Sequence, residues 1–185
     1  LCPIWTCNNV QKCFATLSKK GLQKTSYAFP TEERELGNYI LDALRTEEDE
    51  FIATYDLGTF PMRVQSLNRT LIDKVFAVCD YYLLDKPHRN ARHLYDIYKL
   101  TKHVEMDSDF LELVKEVRAH RITMGSEIAP SAPMDVNIVE LVQKICDEDF
   151  YKEDYRETTL KLISESLEYE MLKRHYKELV EKIFV

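Results

Sequence analysis

Apolar residues recur every three or four positions through most of the chain from Asn68 onward, the period of an α-helix packed along one side. Segments 68–85, 89–103, 108–122, 135–147 and 154–183 carry this pattern, and Pro87 divides the first two. Gly125 followed by Pro130, Ser131, Ala132 and Pro133 marks the clearest loop. In the last segment Leu160, Ile163, Leu167, Leu172, Tyr176, Leu179 and Ile183 form an apolar stripe that predicts a final helix or two.

The first third reads differently. Residues 1–21 show no clear period, although residues 10–17 suit a short helix or strand, and residues 22–29 predict a strand stopped by Pro30. Thr31 with Glu32, Glu33 and Glu35 has the form of a helix start, a capping hydroxyl followed by acids that suit the positive end of the macrodipole. Leu36, Tyr39, Ile40, Ala43 and Leu44 continue it at helical spacing. Residues 51–56 and 61–66, separated by 57–60, predict two strands that share a sheet with 22–29. The expected fold is therefore α+β, predominantly helical: a sheet of about three strands packed on a bundle of about six helices. Residues 1–67 would form the N-terminal sheet-and-helix domain and residues 68–185 a helical C-terminal domain.

Composition narrows this picture. The 185 residues include only 4 Gly and 6 Pro, too few for a turn-rich sandwich or barrel. Twenty-five Lys and Arg against 32 Asp and Glu leave a net charge of -7, which excludes a generic polyanion binder and confines any nucleic-acid contact to a local patch. The five cysteines are an odd number, and Cys79 and Cys146 fall within helical apolar patterns, as buried reduced thiols do. That usage points to the cytoplasm. Cys2, Cys7 and Cys13 lack CxxC spacing and no His precedes His88, which argues against zinc. No apolar run approaches the ~20 residues that span a bilayer, and no signal peptide opens the chain, so no membrane partner is expected.

Two helices carry candidate chemistry. On a wheel of segment 68–85, Ile72, Val75, Phe76, Cys79 and Leu83 share one face, while Leu67, Leu71, Ala77, Val78 and Leu84 cluster near the opposite one with Lys74 among them. A helix apolar on two sides is a central element. Lys74 has two readings: its stem covers apolar surface while the ammonium reaches water, or it is a cation held at a cleft wall to meet a phosphate. In segment 89–103, Ala91, Leu94, Ile97, Tyr98 and Thr101 make the packed face. Asp96 points the other way with Arg92, Lys99 and His103, as a solvated ion-pair set also would. His88, Arg89, Arg92, His93, Lys99, Lys102 and His103 nonetheless form the one locally basic stretch, where a polyanion could dock.

Asn68-Arg69-Thr70-Leu71-Ile72-Asp73-Lys74-Val75-Phe76-Ala77 and Arg92-His93-Leu94-Tyr95-Asp96-Ile97-Tyr98-Lys99-Leu100 resemble the two C-terminal motifs of the AbiEii/AbiGii family, roughly RT-x-x-[ED]K-x-x-A and R-[DH]-x-x-D-[LI]-x-x-L. Their order, with Lys74 and Asp96 22 residues apart, makes the pair fairly specific, and the likeness covers about residues 22–150. The resemblance implies a nucleotidyltransferase-like toxin of bacterial type IV toxin–antitoxin and abortive-infection systems, which act in phage defence. It implies the C-terminal part of a polymerase β-type fold that transfers a nucleotidyl group from an NTP to RNA, in some members the 3′ end of tRNA, with an antitoxin as partner. Carried over, the motif lysine falls on Lys74 and the motif aspartate on Asp96 as catalytic residues, with Arg69, Thr70 and Arg92 binding phosphate or nucleotide. Mg²⁺ is implied for the complete family enzyme. Yet such enzymes place a Gly-rich turn before paired carboxylates of the form D-x-D, and here none of Gly21, Gly37, Gly58 or Gly125 begins that motif. The expectation is that the metal-binding strand pair lies upstream of Leu1 and that this chain alone is inactive and holds no metal. The alternative is a catalytically inactive helical interaction module, a decayed toxin that binds an antitoxin or itself.

Overall fold

Helical spacing from Asn68 onward becomes helix in space. The computed structural model describes residues 29–37, 49–163 and 165–184. In chain order these residues form strand β1 (Thr31–Leu36), helix α1 (Asp49–Thr54), strand β2 (Phe60–Gln65), and helices α2 (Leu67–Leu83), α3 (Arg92–Leu100), α4 (Ser108–Thr123) and α5 (Ile138–Asp147). Helix α6 (Lys152–Glu157), a 3₁₀ turn (Thr159–Lys161) and α7 (Tyr169–Ile183) complete the chain. They belong to two compact units, one made of residues 28–66 and the other containing everything described from Leu67 onward.

In the first unit β1 and β2 pair antiparallel, from Thr31 opposite Gln65 to Leu36 opposite Phe60, and Ser66 N donates to Pro30 O at 3.0 Å to extend the ladder. Two expectations are overturned here. Residues 31–36 are strand, not the start of a helix, because β2 supplies partners that a local signal cannot see: Glu33 lies directly opposite Arg63, a favourable cross-strand charge pair. Alternation also puts Glu32 and Arg34 on one face, where they pair at 3.0 Å. Residues 51–56, expected as a strand, instead lie in and just past α1. That helix closes with a Schellman arrangement: Leu57 N donates to Ile52 O at 3.0 Å, Asp56 N to Ala53 O at 3.4 Å, and Asp56 takes a left-handed φ of 50°. The sheet among the described residues thus has two strands, not three, and β2 pairs with 31–36 rather than with 51–56. The strand expected at 22–29 falls almost wholly outside the described residues, as do the structure expected in 1–21 and the apolar positions from Tyr39 to Leu44.

In the second unit α2 is the central element. It packs against α3, α4 and α5, while α3 and α5 both pack against α7. Leu71, Ile72, Val75, Phe76, Val78 and Cys79 of α2 are all buried, so the helix is enclosed on both of its apolar sides, each large side chain contributing about 1.5–3 kcal/mol relative to exposure. Leu83, expected in the core stripe, is 42% exposed because α2 ends there. Two tyrosines reach α2 from later in the chain, one on α7 and one just before α6: Tyr176 Oη donates to Val75 O at 2.9 Å and Tyr151 Oη to Val78 O at 2.6 Å. Asp107 caps α4 by accepting from Phe110 N at 2.9 Å, and Asn137 caps α5 by accepting from Val139 N and Glu140 N. The segment 154–183 is broken into α6, the 3₁₀ turn and α7, giving seven α-helices among the described residues in place of about six. None of these helices is long and apolar enough to cross a membrane.

Candidate functional site

The seam between α2 and α3 brings Lys74 and Asp96 together. Lys74 Nζ donates to Asp96 Oδ2 at 2.7 Å, with the two side chains 19% and 11% exposed, so the pair is sheltered yet reachable from solvent. This corrects the wheel, which set Asp96 on a solvated face with Arg92, Lys99 and His103. Asp96 is buried, Lys99 pairs with Glu165, and Arg92 and His103 are exposed. Helix α3 has two packed sides, which a single apolar face cannot convey: α2 covers one, and α7 covers the other through His175, which stacks edge-on against Tyr98 and hydrogen-bonds Thr101 Oγ1 at 2.8 Å.

The turn that delivers α3 is fixed from below. Asp154 of α6, a buried carboxylate, accepts from Arg89 N at 2.7 Å and Ala91 N at 3.0 Å. Arg89 itself sits at a left-handed φ of 63°, and its backbone bond to a carboxylate helps hold that turn. Sequence reasoning passed over Asp154, since an acid near the start of a helix looks like an ordinary first-turn residue.

His93 and Tyr81 complete the neighbourhood. Their rings stack with centroids 5.7 Å apart and planes within 3°. His93 Nδ1 lies 4.0 Å from Asp96 Oδ2 and, though buried, has no hydrogen-bond partner. Burial, with the Lys74 and Arg92 cations adding to it, pushes the imidazole down to about 3. One member of the basic stretch is therefore neutral. The only sequence signals were positional: His93 is one helical turn before Asp96, and Tyr81 two turns after Lys74.

The other candidates divide. Thr70, half-buried, is one turn before Lys74 on α2, and Arg92 one turn before Asp96 on α3, so both flank the same seam. Arg69 is drawn instead into a second ionic cluster facing α4. Its Nε donates to Asp73 Oδ2 at 3.0 Å, and Asp73 lies 3.6 Å from Arg121, which also pairs with Asp80. Asp80 Oδ1 in turn accepts from Ser131 N at 2.9 Å and Ser131 Oγ at 2.6 Å, which ties the loop after α4 to α2. A concavity of about 420 Å³ lies elsewhere, lined by Tyr155, Arg156, Leu160 and Tyr169 among others. Lys152 on its wall is already held by Asp149 and Glu170.

No three His, Cys, Asp or Glu side chains converge as a metal site among the described residues. Asp96, the carboxylate at the seam, already has the Lys74 ammonium on one oxygen. The described residues thus do not fit Mg²⁺.

What the α2–α3 seam offers is a lysine with three ammonium protons and one carboxylate partner among the described residues, beside a neutral aromatic stack and an exposed arginine. That is a setting for an anion with several oxygens. No curated protein and no solved structure matches the chain. A family model does, over residues 24–185, beyond the 22–150 that the motifs suggested and through the whole of α7: by that match the chain belongs to the nucleotidyl transferase AbiEii toxin family of type IV toxin–antitoxin systems.

Proposed function

We propose that this chain serves a nucleotidyltransferase-like toxin that moves a nucleotidyl group from an NTP to RNA, with the triphosphate held at the α2–α3 seam. The observation that carries the reading is the Lys74–Asp96 contact across 22 residues, at a place open enough for a ligand to replace one partner. A cation partly withdrawn from water attracts phosphate more strongly than an exposed one. Asp96 holds the Lys74 ammonium at the seam before substrate arrives, which lowers the ordering cost of binding. Arg92, exposed one turn away, adds a planar donor set for a second phosphate. Thr70, one turn before Lys74 on α2, places a short hydroxyl side chain on the same side of that helix. The family implies a cognate antitoxin as partner.

The test is NTP binding by the 185-residue chain, read by calorimetry, with 3′-end extension of labelled RNA alongside. Lys74→Ala is expected to weaken NTP binding at least tenfold, about 1.4 kcal/mol, and Lys74→Arg to recover part of it. If Lys74→Ala binds NTP as the parent does, the triphosphate does not sit at this seam. An unmodified chain that binds no NTP and extends no RNA is the interaction module instead.

A further inference from the structure

A buried polar atom without a partner is costly, and a fold that keeps one has a use for it in another arrangement. His93 Nδ1 is such an atom. It is aimed at the one ion pair that the proposed reaction must break, 4.0 Å from the same Asp96 oxygen that Lys74 occupies at 2.7 Å. We propose that His93 is a positioning residue that takes over Asp96 when Lys74 leaves it for a phosphate: the His93 Nδ1–H then donates to Asp96 Oδ2. This rests on the reading of Lys74 as a phosphate-binding cation.

The geometry asks for little movement. Closing 4.0 Å to an ordinary N–H···O distance is a shift of about 1 Å. The Tyr81 ring, parallel to His93 within 3°, lets the imidazole slide in its own plane while barring it from tilting away. With Lys74 in place no hand-over is needed, since Asp96 Oδ2 already has a full positive partner. With Lys74 withdrawn, Asp96 would be a buried carboxylate alone, a strongly disfavoured state. A neutral donor one ångström away removes that penalty without adding a second cation that would hold the carboxylate as tightly as Lys74 does. The low proton affinity of His93 fits this part: the ring stays neutral at physiological pH and gives up the carboxylate when Lys74 returns.

Nitrogen-15 NMR of the histidine-labelled full chain, with inorganic tripolyphosphate as the probe, reads the hand-over directly. The free chain should show no hydrogen-bonded His93 Nδ1–H resonance. Lys74→Ala should show one without any ligand, and the unmodified chain should show one on saturation with tripolyphosphate. His93→Phe, which keeps a ring on Tyr81 and removes the unpartnered nitrogen, should weaken tripolyphosphate binding about tenfold without lowering the melting temperature of the free chain. His93→Asn, with a neutral donor near the place of Nδ1, should restore most of the affinity. The inference is overturned if free Lys74→Ala lacks the Nδ1–H resonance, or if His93→Phe lowers the melting temperature while binding is untouched, the signature of a packing role. Should the unmodified chain fail to bind tripolyphosphate, it is the phosphate reading of Lys74 that fails, and the Lys74→Ala spectrum still decides the hand-over.

Discussion

Burial silences two side chains that residue type alone would rank as reactive. Cys79 is 0% exposed, and loss of water pushes its thiol up to about 12, against a weaker lowering from the Tyr176 hydroxyl 3.3 Å away. At pH 8 the thiol stays protonated and unreactive. Iodoacetamide labelling mapped by peptide mass should therefore modify Cys79 only as fast as the fold opens; modification within minutes at pH 8 would show the core to be looser than its packing. His93 gives a pH signature with a definite sign. Its imidazole is held at about 3 against 6.5 in an unfolded chain, so between those values the unfolded state binds a proton that the folded state refuses. Its share of the stability is complete above pH 6.5 and is lost as pH falls toward 3, at up to ~1.4 kcal/mol per pH unit. The charged groups facing the ring are Lys74, Arg92 and Asp96. Urea melts from pH 7 to 4 should show a shallower decline for His93→Phe than for the parent. At this scale the wheel offered Lys74 a second reading as a cation at a cleft wall, but the sequence joined it with Asp96 only through resemblance to motifs. A wheel sorts residues by the apolarity of their neighbours, and Asp96 has polar neighbours on α3 while its real partner stands on α2.

Helix endings show how four glycines suffice for so many helices. Asp56, Asp85 and Asp149 each take a left-handed φ, 50°, 52° and 49°, just past α1, α2 and α5. In each case the next residue's amide reaches back five residues: Leu57 N to Ile52 O, Lys86 N to Tyr81 O, and Phe150 N to Ile145 O. Aspartate here does what glycine usually does, at a cost of about 1 kcal/mol for the left-handed backbone. Asp85 is exposed, which makes it the clean place to measure that cost. Asp85→Gly should raise the melting temperature by roughly 2–4 °C, read by calorimetry; a fall would mean that the carboxylate does more at the end of α2 than the backbone reveals. The same elements explain which parts of the fold were legible beforehand. Segments 68–85 and 108–122 were readable to within about two residues because their periodicity and their burial coincide. Residues 31–36 and 51–56 were not, because a capping pattern and a β-rich pair, Phe51-Ile52, are local signals of a few residues that tertiary partners outweigh.

Across the whole molecule, order should be graded according to what each unit buries. The twelve residues of β1 and β2 include none that is buried, and a two-stranded ribbon is at best marginal in water on its own. The helical unit is built the other way. Helix α2 is enclosed by α3, α4 and α5, with α7 behind α3 and α5, and Phe76, Phe110, Tyr151, Tyr155 and Tyr176 fully buried within it. Its polar interior is tied as well, since Arg121 joins Asp73 and Asp80 of α2 to α4, and Asp80 joins Ser131. Breaking such a buried pair costs about 3–5 kcal/mol, so these helices open only when the unit does. Native-state hydrogen exchange read by mass spectrometry should accordingly find amides of α2 and α7 exchanging last and together, at the free energy of global unfolding. Amides of the β1–β2 ladder should exchange at least a hundredfold sooner, about 2.7 kcal/mol below that limit. The Lys74–Asp96 seam lies inside the slow unit, so a ligand that binds there should slow α2 and α3 further and leave the ribbon unchanged. Equal protection of the ribbon and the helices would instead mean that β1 and β2 are covered by more than the described residues, and that the two units unfold as one.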